Sequence, residues 1–160
     1  MAGIFALCTE AVQADGAVQA RRLADLMALY DWQKPQLLEL PEAGLVLGSI
    51  VNTQHDWPVA GFVARDGSLS CVVEGYFVRS LEECGADAAI AACRFAEAAM
   101  AAYRKFGADF ASKLEGAFTV LLHDADTNRL LAGNGHFASS HLYHRRLEQG
   151  VFYCTQLGPM

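Results

Sequence analysis

The run from Ala117 to His123, Ala-Phe-Thr-Val-Leu-Leu-His, is nearly continuous in apolar residues. It constrains the fold more than any other stretch, because a strand with that pattern must be covered on both faces. Asp124 to Asn128 supplies turn residues, and Arg129 to Ala132 returns as the hairpin partner. Gly3 to Cys8 is a second apolar run and reads as a central strand. Leu45 to Val51, rich in branched residues, is a third. Val59 to Ala64 and Leu69 to Phe77 flank Arg65-Asp66-Gly67-Ser68, and Asp-Gly between two apolar runs signals a hairpin. Val151 to Thr155 closes the series as one more strand.

Two stretches have helical spacing instead. In Gly16 to Tyr30, the residues Val18, Leu23, Leu26, Met27 and Tyr30 can share a face, with Asp15 as a cap. Gly85 to Phe106 is longer, and Ala89, Cys93, Ala96, Met100 and Tyr103 fall on one stripe. Gly107 breaks it, and Ala108 to Leu114 adds a further helical turn or two. Asp31 to Pro41, with two prolines, reads as a loop, and Asn52 to Pro58 as a turn-rich connection. The order is strand, helix, several strands, helix, several strands. It predicts one α+β domain over residues 1–160, with stacked sheets between helical layers.

Composition removes several function classes. A hydrophobic content of 53% argues against disorder. A net charge of −6 without a basic run disfavours a nucleic-acid surface, and Arg145-Arg146 is too small a cluster to imply one. The apolar stretches are too short and interrupted to span a membrane, and the N-terminus has no secretion-signal pattern. The five cysteines (Cys8, Cys71, Cys84, Cys93 and Cys154) include no Cys-x-x-Cys pair, so reduced thiols in a cytoplasmic protein are expected. His136, His141 and His144 lie close in sequence, but a metal needs three or four converging ligands, and solvent-facing loop histidines are expected. No metal and no cofactor is expected.

Met1-Ala2-Gly3-Ile4-Phe5 resembles the Met-Cys-Gly-Ile-Phe start of class II glutamine amidotransferases, the asparagine-synthetase-like group of N-terminal-nucleophile hydrolases. The stretch from Tyr103 to Phe118, with Gly107, Phe110, Leu114 and Gly116, is similar to the family's Tyr-x-x-x-Gly-x-x-Phe-x-x-x-Leu-x-Gly-x-Phe segment, and a strand and Asp124 follow it. Asn128 to Phe137 looks like the family's Arg-Asp-x-x-Gly stretch without its charges. Leu142-Tyr143 looks like its Pro-Leu-Tyr-Tyr, and Val151 to Leu157 like its last strand. The resemblance covers almost the whole chain. It implies the four-layer α-β-β-α sandwich, with two mainly antiparallel sheets flanked by helices.

The family's chemistry needs a thiol nucleophile with the terminal amine as its base, an oxyanion hole, and charged groups that grip glutamine. In this chain Ala2 stands where the resemblance places the Cys. Glu74 replaces the oxyanion-hole Asn, next to a retained Gly75, and Tyr76 replaces the family's Glu. A carboxylate at position 74 repels a developing oxyanion. Gly48 and Ser49 follow Leu47 where the family has a guanidinium for the substrate carboxylate. Asp87 lies near the position of the family's substrate-amine Asp. The whole site has drifted, not one residue of it.

The first expectation is therefore a catalytically inactive amidotransferase-like domain. It would act as a structural or protein-interaction module, either as partner of an ATP-dependent, asparagine-synthetase-like amide ligase or by self-association. The second is a glutamine or other amide hydrolase with a displaced nucleophile, Cys8 or Cys71. The third is a small-molecule binding module in which Glu74, Tyr76 and Asn52 line a relic pocket.

Overall fold

The computed structural model describes residues 3–9, 14–54, 63–136 and 140–156. Met1 and Ala2, residues 59–62 of the expected hairpin, Phe137, Leu157, and the side chain of Asp15 lie outside the described residues. The elements are β1 (Gly3–Thr9), α1 (Ala14–Met27), β2 (Gln33–Leu40), β3 (Leu45–Asn52), β4 (Val63–Asp66), β5 (Leu69–Ser80), α2 (Asp87–Ala91), α3 (Phe95–Phe106), β6 (Leu114–Asp124), β7 (Arg129–Asn134), β8 (Tyr143–Leu147) and β9 (Gly150–Cys154). The class is α+β, with two antiparallel sheets. The chain divides into two compact units, Met1–Trp57 with His141–Met160, and Pro58–Ser140.

In the first unit the strand order is β2-β3-β1-β9-β8, so the N-terminal run is central, as its unbroken apolarity requires. Phe5 and Leu7 pack with Ala20, Ala24 and Met27 of α1, while Ile4 and Ala6, on the opposite face, are equally buried. The Phe5 and Phe152 rings lie 5.8 Å apart and bridge β1 to β9.

Helix α1 departs from the expected face. Val18, Leu26 and Tyr30 are exposed, and the alanines at 20 and 24 face the sheet with Met27. Small residues let the helix approach the strands closely, so the bulkier apolar side chains are left on the outer side. The expected loop at 31–41 is instead strand β2, paired along its length with β3. Pro35 is tolerated because β2 is an edge strand, where the missing N–H costs no ladder bond. Pro41 opens a short 3-10 turn, and Gly44, at φ +59, reverses the chain into β3.

The second unit has the order β4-β5-β6-β7. The expected hairpins are observed. Gly67, at φ +62, lies in the two-residue turn between β4 and β5, and β6 returns through Asp124–Asn128 into β7. One face of this sheet carries Cys71, Val73, Phe77, Phe118, Val120 and Leu122, packed against α2, α3 and Phe110. Phe77 meets Phe95 and Phe118 edge-on, at 5.7 and 4.6 Å.

The single long helix expected over 85–106 is two helices. Cys93, at φ +56, breaks it between α2 and α3. No Gly or Pro marks that break in the sequence, and the stripe still faces the core because the break is short. Gly107 ends α3 at φ +59, and a 3-10 segment, Gly107–Lys113, follows. Gly116 lies inside β6, opposite Phe77, not at a turn into it. A Cβ there would sit 2.2 Å from the Tyr76 carbonyl oxygen, so close approach of β5 and β6 explains this glycine.

Candidate functional site

The residues that the resemblance assigns to chemistry fall in two groups. Ala2 lies outside the described residues. Gly48 and Ser49 are in β3, in the first unit, where they pair with Phe5 and Ile4. Glu74, Gly75 and Tyr76 are consecutive in β5, in the second unit, opposite Thr119, Phe118 and Ala117.

Gly48 has a packing reason. A Cβ there would lie 2.1 Å from the Phe5 ring, so the ring occupies the space that a side chain would need. Ser49, on the opposite face, is 4% exposed beside Ile4. The start of β1 is pinned to the chain that follows β9. The Ile4 N–H donates to the Thr155 hydroxyl at 3.0 Å, and the Thr155 N–H donates to the Ile4 carbonyl at 3.1 Å. Met27 and Gln156 crowd Gly3, leaving 2.8 and 3.0 Å to a Cβ placed there. Asn52, at the far end of β3, has a buried side-chain oxygen with no hydrogen-bond partner among the described residues.

Gly75 holds φ +95, and a Cβ would lie 2.0 Å from the Ala117 carbonyl oxygen. Both facts demand glycine at the position where the family's oxyanion N–H is expected. Glu74 is half-buried and Tyr76 is 49% exposed. Asp87 is exposed and accepts a hydrogen bond from the Ser80 N–H at 3.2 Å.

The thiols that could replace the missing nucleophile are poorly placed for it. Burial pushes Cys8 up to about 11. Cys71, fully buried in the core of the second unit, is raised further, and burial also raises Cys154. A nucleophilic thiol needs the opposite, a lowered pKa that supplies thiolate near neutrality. Among the described residues no three His, Cys, Asp or Glu side chains form a metal-binding group, and His136, His141 and His144 are exposed.

The segment from Tyr103 to Asp124 contains a structural bond. The Tyr103 hydroxyl donates to Asp124 Oδ2 at 2.7 Å. Asp124 also accepts from the Thr127 hydroxyl at 3.0 Å and the Asp126 N–H at 2.9 Å. It therefore closes the β6–β7 turn and ties it to α3. The Tyr103 hydrogen bond, with help from Thr127 and Asp126, holds the Asp124 carboxyl below its usual range. The same bond raises the Tyr103 phenol. The sequence marks these two residues only as parts of a motif; their 21-residue separation conceals the contact.

Clefts occur elsewhere. One of about 270 Å³ lies between Leu7, Ala17, Pro41 and Val46, at the opposite end of β1 from Gly3. One of about 520 Å³ lies beside Asp66, Tyr103, Arg104 and Asp124. Neither is lined by Gly48, Ser49, Glu74, Gly75 or Tyr76. Among the described residues no helix is long and apolar enough to cross a membrane. No model of a known protein family matches this chain, and no curated protein matches it.

Proposed function

We propose that the chain is a class II glutamine-amidotransferase-like domain, with the four-layer sandwich of N-terminal-nucleophile hydrolases, that no longer hydrolyses glutamine and works as a structural or protein-interaction module. Its partner class is an ATP-dependent, asparagine-synthetase-like amide ligase. The observation that carries the loss of catalysis is the state of the thiols. Ala2 has no sulfur, and burial keeps both candidate replacements, Cys8 and Cys71, protonated at neutral pH. The sandwich draws support from the two antiparallel sheets, each with helices packed on one face, α1 on Phe5 and Leu7 in the first unit and α2 and α3 on Phe118 and Val120 in the second.

The test is glutamine turnover by the purified chain, read as ammonia, beside an intact-mass scan after treatment with an electrophilic glutamine analogue. The proposal expects neither ammonia nor an adduct. Ammonia with an adduct on Cys8 or Cys71 would overturn it and establish a moved nucleophile. Sizing of the chain alone and with a candidate ligase subunit separates self-association from a partner.

A further inference from the structure

The strand β8 is the outermost strand of the five-stranded sheet, paired with β9 on one side and with no described strand on the other. Its sequence is Tyr143-His144-Arg145-Arg146-Leu147, and the three central residues are exposed. Neither Arg145 nor Arg146 makes an ion pair among the described residues, in a chain whose net charge is −6. Tyr143 and Leu147 pack on the α1 side, so strand alternation places Arg145 on that face and His144 and Arg146 on the other. On the α1 side a shallow cleft of about 350 Å³ adjoins the end of the strand, with Arg22 and Leu23 of α1 on one wall and Leu147 and Glu148 on the other. Cations thus flank the open edge on both faces.

The register sharpens the geometry. Leu147 pairs with Gly150 across the two-residue loop Glu148-Gln149. Such a loop closes on a hydrogen-bonded pair, and pairs then alternate along an antiparallel ladder. The main-chain N–H and C=O groups of His144 and Arg146 therefore face outward, available to another strand. Basic side chains on an edge repel a second copy of the same edge. They attract an acidic one.

We propose that the β8 edge is a docking site for an acidic, extended segment of a partner protein, which adds to the sheet as a sixth strand. Main-chain bonds to His144 and Arg146 supply the ladder, and carboxylates at alternate positions meet Arg146 on one face or Arg145 and Arg22 on the other. The inference rests on strand order and charge alone. Glutaminase activity, if found, would leave it standing.

The experiment titrates the full chain into a fluorescent eight-residue peptide of alternating Glu and Val, read by anisotropy. A Lys-Val peptide is the charge control. Two further Glu-Val peptides are N-methylated on one or the other alternate set of main-chain nitrogens. The expected result is saturable one-to-one binding of the acidic peptide, with no binding of the Lys-Val peptide. Weakening by about tenfold or more is expected with Arg145→Glu/Arg146→Glu and with one of the two methylated peptides. Absence of saturable binding overturns the proposal. So does equal binding of both methylated peptides and the parent, which would mean charge attraction without a ladder. An unchanged double variant overturns it as well. Far-UV circular dichroism checks the variant's fold, and Arg145→Gln/Arg146→Gln replaces it if the reversal unfolds the chain.

Discussion

Replacing Tyr103 by Phe removes one oxygen and tests the bond that ties α3 to the β6–β7 turn. The ring contact with Phe110, 5.8 Å between centroids, survives in the variant. What is lost is a 2.7 Å hydrogen bond to a carboxylate that is only 6% exposed. A hydrogen bond to a charged group contributes about 1.5–3 kcal/mol. Asp124 keeps the Thr127 and Asp126 donors, and Tyr103 is only half-buried, so the low end applies, about 1.5 kcal/mol at pH 7. For a chain of this size that is a fall of about 3–6 °C in Tm. The pH dependence gives the sharper test. The native carboxyl titrates below its ordinary value, mainly because of Tyr103. Its contribution is fully present above the unfolded value of about 3.9 and is lost as the pH falls through the native one. In the variant the native value moves back up, so the deficit should begin to shrink below about pH 4 and vanish only once the pH lies below the parent's native value. Urea unfolding followed by circular dichroism at pH 7, 5 and 3 measures this. An equal deficit at pH 7 and pH 3 would show that the loss is one of packing and refute the carboxylate argument. A deficit under about 0.3 kcal/mol at pH 7 would show that solvent replaces the bond.

Gly48→Ala should cost about 2 kcal/mol by overpacking the Phe5 ring, and adding Phe5→Leu should recover part of it in the same unfolding assay. Gly75→Ala combines a positive φ with a clash against the Ala117 carbonyl, and a loss of at least about 2 kcal/mol is expected. Brief labelling of the native chain with a thiol reagent at pH 8 should leave Cys71 unmodified in the mass spectrum, whereas labelling in urea should reach it; native modification of Cys71 would contradict its burial. Stability should also fall as the pH rises from about 9 towards 11, because the Cys8, Cys71 and Cys154 thiols ionise in the unfolded chain before they do in the native one. Cys8→Ala should lessen that alkaline decline without abolishing it, and an unchanged slope would count against the Cys8 contribution.

Local pattern was enough to identify the strands whose apolar runs are unbroken. Residues 3–8, 45–51 and 117–123 are central in their sheets, and burial on both faces leaves them no polar pattern to confuse. The Asp66-Gly67 and Asp124–Asn128 turns were equally legible, because turn chemistry is local. The edge strands of the first sheet were not. β2 carries a proline that reads as a loop, and β8 has no apolar run to mark it, because an edge needs neither a full ladder nor two apolar faces. The break at Cys93 has no local signal at all; packing of α2 and α3 against the second sheet holds a residue that would otherwise avoid positive φ. Periodicity likewise could not choose the buried face of α1. Val18 and Leu26 outrank alanine in hydrophobicity, but the face that meets the sheet is the one carrying Ala20, Ala24 and Met27, which no local pattern singles out. The candidate site divides in the same way. Gly48 and Gly75 stand out in the sequence as glycines, yet the Phe5 ring and the Ala117 carbonyl that require them come from other strands. Those contacts exist only once the sheets have formed.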